Sequence, residues 1–130
     1  MAQFEEKDCY MMEVDQDKNR LNLTFLGHWQ SPADIPYYLE HVAKSVGMLK
    51  KGYTIYAEIN DKKPPKLSVT GIHKKGQQIM KQAGVSKTAV VLKQRQILQK
   101  MTLNVVGRLS GMSTKVFYDK DEALKWLEGE

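Results

Sequence analysis

Residues 53–92 read YTIYAEINDKKPPKLSVTGIHKKGQQIMKQAGVSKTAVVL, and this stretch decides the fold class. Its beginning, YTIYAEIN, alternates in the pattern of a strand, while TAVVL at its end is the continuous apolar run of a strand covered on both faces. Between the two, apolar residues recur at helical spacing over roughly 71–83, and Gly84 ends the helix. Because the connections are short, the pattern predicts a β-α-β unit with parallel strands.

The N-terminal part adds a hairpin and a helix. Residues 8–14 and 20–26 read as two strands, and DQDKN between them supplies turn residues. Ser31-Pro32 is a helix-start signal, and Gly52 ends the helix that follows. Pro36 lies in the first turn of this helix or marks its true start, and the sequence leaves that choice open.

The C-terminal part completes the predicted order. Apolar spacing over 94–109 predicts a third helix, and KVFY (115–118) predicts a strand. Asp119 then caps a last helix, with Glu122 three residues on as a capping box. The order β-β-α-β-α-β-α-β-α predicts a single α/β domain over 1–130, with a mixed, mostly parallel sheet flanked by about four helices.

The C-terminal sequence KVFYDKDEALKWLEG carries a resemblance to a known family. A strand that ends in an aromatic pair, followed by Asp-x-x-Glu-Ala-x-x-Trp-Leu, resembles the C-terminus of STAS-like proteins. It resembles in particular the SpoIIAA-like family of uncharacterised bacterial proteins, similar to the sporulation anti-sigma-factor antagonist. The resemblance implies a mixed sheet with helices on its faces, and no enzymatic activity, catalytic residue or cofactor. Related folds include carriers of lipids and other small molecules.

The same resemblance points to a site of phosphorylation. In switch-type STAS proteins a partner kinase phosphorylates a Ser or Thr where the middle strand meets the next helix. LSVTG occupies that place here, so the candidates are Ser68 and Thr70. The chain departs from the Asp-Ser-Ser-Gly-like turn of the switch proteins, because it has two prolines and several lysines there.

The residues themselves predict a binding site in the same place. Ligands of open α/β sheets bind beyond the carboxyl ends of the strands, and a helix start offers free N–H groups to an anion. Pro64-Pro65 stiffens the approach, Ser68 and Thr70 supply hydroxyls, and Gly71 and Ile72 supply backbone N–H groups. The candidate binding residues are Lys62, Lys63, Lys66, Ser68, Thr70, Gly71, Ile72, His73, Lys74 and Lys75. The alternative is that Ser68 or Thr70 caps the helix and the lysines keep a surface loop soluble.

Charge is strongly segregated along the chain. The net charge is +5, yet residues 62–118 contain no Asp or Glu and carry twelve basic side chains. Residues 1–61 carry six basic and ten acidic side chains, and residues 119–130 carry two basic and five acidic ones. This pattern favours a positive field over part of the surface, unless folding interleaves the segments and neutralises the basic one.

Other function classes find little support. His28, His41 and His73 lie in three separate segments without metal-ligand spacing, and Cys9 has no basic neighbour in the sequence to activate it. Nucleic-acid binding is disfavoured because residues 62–116 contain no aromatic side chain for base stacking.

One cysteine and no long apolar run predict a cytoplasmic protein without a transmembrane segment. A homodimer is possible if the side chains of Met11, Met12, Met48, Tyr37 and Tyr38 form an exposed patch, although they suit a core equally well.

These observations lead to two main hypotheses, and a minor nucleic-acid role is the third. The first is a non-enzymatic binding or regulatory module whose basic segment 62–75 engages an acidic protein partner or a small anionic ligand. The alternative is a carrier that holds a lipid or other amphipathic molecule in an apolar pocket under the helices. Ionic strength distinguishes them, because salt weakens anion binding and leaves apolar binding almost unchanged.

Overall fold

The computed structural model describes residues 2–6, 9–26, 36–59, 67–92 and 113–129. Six strands form one sheet in which the strands lie side by side in chain order. They are β1 (Ala2–Glu6), β2 (Tyr10–Asp15), β3 (Arg20–Phe25), β4 (Thr54–Ile59), β5 (Lys87–Leu92) and β6 (Thr114–Phe117). The described helices are α1 (Tyr38–Gly47), α2 (Leu67–Gln82) and α3 (Lys120–Leu127).

The sheet is mixed, as predicted. β1, β2 and β3 pair antiparallel, and β3 to β6 pair parallel. The predicted β-α-β unit is confirmed as β4, α2 and β5, with β4 inside the sheet between β3 and β5. All but the first residue of β5 are buried, in agreement with its continuous apolar run.

Several boundaries differ from the sequence prediction. β1 is an additional strand, and its pairing partner β2 begins at Tyr10 rather than at residue 8. α1 begins at Tyr38, so Pro36 precedes the helix, and it ends at Gly47 rather than near Gly52. The predicted Ser31-Pro32 start and the predicted third helix over 94–109 lie outside the described residues.

The two faces of the sheet bury different side chains, because successive residues of a strand point to opposite faces. α1 and α2 cover the face that carries Met12, Leu23 and Ile55. α3 covers Tyr56 and its neighbours on the other face, where the buried cluster also contains Ala89, Val91, Phe117, Ala123 and Leu127. Within the described residues, no helix is both long enough and apolar enough to cross a membrane.

The predicted Asp119 cap of the C-terminal helix is confirmed, whereas the bonds among the described residues do not include the reciprocal Glu122 contact of the predicted capping box. The side chain of Asp119 caps α3 by accepting a hydrogen bond from the backbone N–H of Asp121 at 3.4 Å. Lys87 of β5 holds the far end of the helix, because its Nζ donates to the carbonyl of Trp126 at 2.9 Å and lies 5.3 Å from the centre of its indole ring. Trp126 therefore helps to hold α3 on the sheet, together with the buried Ala123 and Leu127.

Two glycines position α2. Gly84 follows its C-terminus with φ +95°, and the N–H groups of Gly84 and Val85 bond to the carbonyls of Lys81 and Met80, which is the Schellman arrangement predicted for a terminating glycine. Gly76 faces α1, where an added Cβ would lie 2.9 Å from Cε2 of Tyr38. The absence of a side chain at Gly76 therefore allows the two helices to pack closely.

Candidate functional site

The carboxyl ends of the parallel strands lie level with one another. Phe25, Ile59 and Leu92, the last residues of β3, β4 and β5, stand directly opposite each other in the sheet register. α2 starts after the carboxyl end of β4, on the side of the sheet where open α/β folds bind their ligands. The topology thus puts the start of α2, which carries the described part of the predicted segment, where a ligand site is expected.

The beginning of α2 differs from the prediction. The helix begins at Leu67 rather than near residue 71, so Ser68 and Thr70 occupy its second and fourth positions and neither is its N-cap. Since a helix pairs each N–H with the carbonyl four residues earlier, Gly71 and Ile72 have no free N–H groups. Among the described residues, the free groups of the first turn belong to residues 67–69.

Only part of the predicted site lies within the described residues. Lys62, Lys63 and Lys66 fall outside them. The structure describes the backbones of Ser68, Thr70 and His73 as part of α2, but it does not describe their side chains. Within the remainder of the predicted site, Gly71, Lys74 and Lys75 are exposed and Ile72 is half-buried.

The exposed side of α2 is a basic stripe, which we define by the lysines Lys74, Lys75 and Lys81. The helix contains no acidic residue in its sixteen positions. The other exposed positions on this side are Gly71, Gln78 and Gln82, and their spacing places all six on one face of the helix. The opposite side packs inward through the buried Met80 and the half-buried Ile72 and Ile79.

No carboxylate neutralises the basic stripe within the described part of the chain. The ion pairs there join Arg20 to Glu128 at 3.7 Å and Lys44 to Glu40 at 3.5 Å. Among the described N-terminal strands, the side chains of Glu5, Glu13 and Asp15 alternate with those that face α1 and α2, so they point to the other side of the sheet. Glu6 is the carboxylate of the described strands β1 to β3 that shares the face of α1 and α2, and its Oε1 accepts a hydrogen bond from the backbone N–H of Tyr37.

A second cluster of polar and aromatic groups joins β1, β2 and α1. The hydroxyl of Tyr10 and Nδ1 of His41 share a hydrogen bond of 2.6 Å. His41 also stacks against Phe4, with ring centres 5.4 Å apart. Oε1 of Glu6 accepts a hydrogen bond from the backbone N–H of Tyr37 at 3.1 Å, whereas its buried Oε2 has no partner among the described residues.

Burial determines the protonation of the phenols in this region. It raises the pKa of Tyr10 far above the ordinary value of 10.0, and the neighbouring Glu6 carboxylate raises it further. Burial also raises the pKa of Tyr38, whose ring meets that of Tyr10 edge-on at 5.2 Å. Tyr10 therefore remains a neutral hydroxyl at any physiological pH and links β2 to α1 through His41.

The other candidate chemical groups show no joint site. Cys9 is buried, and His28 lies outside the described residues. Within the described ranges, no three His, Cys, Asp or Glu side chains come close enough together to hold a metal ion. His41 has a structural role, because it contacts Tyr10 and Phe4 and so joins α1 to the first two strands.

Comparisons with known proteins identify the fold. No protein-family model matches the sequence, and no curated protein matches it. The structure is similar to the crystal structure of an uncharacterised protein of the DUF3478 family, with a SpoIIAA-like fold, from Shewanella loihica PV-4, at a TM-score of 0.67. The match covers 92% of this chain and 94% of that protein at 14% sequence identity. The chain therefore has a SpoIIAA-like fold of the STAS type, as its C-terminal motif predicted.

Proposed function

We propose that this protein is a non-enzymatic binding or regulatory module of the cytoplasm. In this proposal the segment 62–75, continued by the basic stripe of α2, engages an acidic protein partner or a small anionic ligand. The supporting observation is that Lys74, Lys75 and Lys81 are exposed and have no carboxylate partner among the described residues. Cations grouped without counter-charges create a positive potential that attracts and orients a negative partner.

Phosphorylation of Ser68 or Thr70 would regulate the same surface. Ser68 lies in the first turn of α2, where the helix dipole and the free N–H groups stabilise a phosphate. A phosphate there adds up to about two negative charges beside the lysines. The modification would therefore neutralise the basic stripe and release an acidic partner, which is the behaviour of a switch.

The test is binding of a fluorescently labelled poly-glutamate peptide, followed by anisotropy over a series of salt concentrations. The double variant Lys74→Gln/Lys75→Gln should weaken binding by a few-fold, since each exposed ion pair contributes about 0.2–1 kcal/mol. The matched control is Lys120→Gln/Lys125→Gln, because these lysines are also exposed but lie on α3, which covers the other face of the sheet. Binding that is unaffected by salt, or equally weakened by both variants, would contradict the proposal.

A lipid carrier remains the alternative and gives the opposite result. Its ligand would bind independently of salt and of the α2 lysines, because burial of apolar surface does not depend on their charge. Native mass spectrometry of protein purified from its own cells identifies such a cargo as a bound mass that is lost on denaturation. A mass increment that survives denaturation and maps to Ser68 or Thr70 supports the switch instead.

A further inference from the structure

One edge of the sheet has no partner strand. β1 is the outermost strand, and among the described residues nothing pairs with its outer side. It consists of Ala2–Glu6 and contains neither a proline nor a lysine, and its charged residues are Glu5 and Glu6. Its outward N–H and C=O groups are therefore free to pair with another strand.

The flank of α1 beside this edge exposes a large apolar side chain at each end, and the exposed Lys44 lies between them on the same side. Tyr37 is 57% exposed and Met48 is 37% exposed, and they are two of the four large apolar side chains that the described residues leave exposed. The spacing of Tyr37, His41 and Met48 places them along one side of the helix. That side faces β1, because His41 stacks on Phe4.

The flank of α1 and the edge strand have similar lengths and opposite directions. The twelve residues from Tyr37 to Met48 span about 16 Å of helix from first to last, and the five residues of β1 span about 13 Å of strand. Tyr37 lies at the Glu6 end of β1, because its N–H donates to Oε1 of Glu6 at 3.1 Å. Met48 lies at the other end, because its carbonyl accepts from Nε2 of Gln16, just beyond β2, at 3.1 Å.

We propose that this edge binds a second copy of the same chain. The two β1 strands pair antiparallel about a two-fold axis at Phe4, which extends the sheet across both copies. In this register Gln3 lies opposite Glu5 of the second copy, and Ala2 lies opposite its Glu6. All five residues are paired and no two like charges face each other, whereas a register centred on Glu5 would oppose two carboxylates.

The same symmetry completes the contact between the helices. Because the Glu6 end of each β1 meets the Ala2 end of the other, Tyr37 of one copy comes beside Met48 of the second copy. The contact occurs twice, and a thioether against an aromatic ring is a favourable pair. An interface in which the same patch serves both copies closes as a dimer and does not extend into a filament. It leaves the basic stripe of α2 outside the contact, so it does not rest on the function proposed above.

The test measures the oligomeric state of the full chain by sedimentation equilibrium, with circular dichroism to check that each variant folds. The wild-type mass should reach twice 14.9 kDa at about 100 µM protein, since dimerisation depends on protomer concentration. Tyr37→Asp alone and Met48→Lys alone should each weaken dimerisation roughly tenfold or more. In each single variant the dimer contact would bury a new charge that has no partner of opposite sign. The double variant Tyr37→Asp/Met48→Lys should restore dimers, since the symmetry places each new carboxylate beside a new ammonium group.

The control is Tyr118→Asp, because Tyr118 is also exposed (40%) but follows β6 at the opposite edge of the sheet. It should leave the dimer unchanged. A wild-type protein that stays monomeric at this concentration would overturn the proposal. So would dimers that respond to Tyr118→Asp and not to the α1 variants, or a double variant that dimerises no better than the single ones.

Discussion

Replacement of Tyr53 and Tyr56 by phenylalanine, one at a time, should shift the free energy of unfolding in opposite directions. Tyr53 precedes β4 and Tyr56 lies within it, and their exposed fractions are 0% and 5%. The Tyr53 hydroxyl donates a hydrogen bond of 2.6 Å to the carbonyl of Met80. The Tyr56 hydroxyl is buried and has no partner among the described residues.

The structure determines the size of each effect. Tyr53→Phe removes one buried hydrogen bond, which contributes about 1 kcal/mol net. The Met80 carbonyl keeps the N–H of Val85 at 3.4 Å, so the loss should not greatly exceed this value. Tyr56→Phe removes a hydroxyl whose unpaired burial costs about 1–3 kcal/mol, so it should stabilise the fold by about 1 kcal/mol. In a chain of this size each change corresponds to about 4 °C in the melting temperature.

Urea unfolding followed by circular dichroism measures both variants against the wild type. The two should show unchanged slopes with denaturant and midpoints displaced to opposite sides of the wild type. If Tyr56→Phe loses as much stability as Tyr53→Phe, the Tyr56 hydroxyl has a hydrogen-bond partner and the reasoning is refuted. Each variant serves as the control for the other, because both remove one oxygen from a buried ring.

Two further predictions concern the helices and the buried phenols. Gly76→Ala should destabilise the fold by about 1–3 kcal/mol, because its Cβ would lie 2.9 Å from the Tyr38 ring. Gly71→Ala has open space at its Cβ and should stabilise α2 by up to about 1 kcal/mol. Equal effects of the two variants in thermal unfolding would disprove the close packing of α1 and α2. Burial, and next the charge of Glu58, raise the pKa of Tyr56 to about 12 from its ordinary 10.0. The folded state therefore keeps the Tyr56 phenol neutral at pH values where the unfolded chain loses its proton. The stability that depends on this neutral form is complete below pH 10 and is lost as the pH rises to about 12. Unfolding free energies measured over this range should fall for the wild type and fall less for Tyr56→Phe.

Local patterns were sufficient for much of the fold. The alternation in β4, the apolar run of β5 and the Asp119 cap depend on neighbours in sequence, and each lies where it was predicted. The β1 strand was missed because AQFEE contains two glutamates, which are poor strand formers, and because an edge strand needs few buried side chains. The start of α2 was misplaced because Ser68 and Thr70 resemble caps, whereas the helix begins at Leu67.

The contacts around His41 could not be predicted from local patterns. Tyr10 and His41 are separated by 31 positions, and only the packing of α1 over the β1–β2 hairpin brings them together. Local patterns also could not show which residues of the patch predicted for dimers are exposed and which are buried. Met12 and Tyr38 belong to the core, while Tyr37 and Met48 are exposed, although the four are equally apolar in the sequence. Periodicity assigns a face to each residue, but it does not say which face a neighbouring element covers.

The sheet topology determines where the acidic and basic side chains lie relative to each other. Because β1 to β3 are antiparallel and successive side chains alternate, Glu5 and Glu13 point away from the face on which α2 lies. The carboxylates of Glu5 and Glu13 therefore lie on the other side of the sheet from the lysines of α2. Glu6 lies on the same side as α2, where it accepts a hydrogen bond from the backbone N–H of Tyr37. At physiological salt, charges separated by more than about 8 Å are largely screened from each other. A layer packed on a sheet lies about 10 Å from it, so carboxylates on the far face of the sheet are screened from the lysines of α2. The proposal of an acidic partner therefore rests on the three exposed lysines of α2 and on the absence of an ion pair to any of them among the described residues.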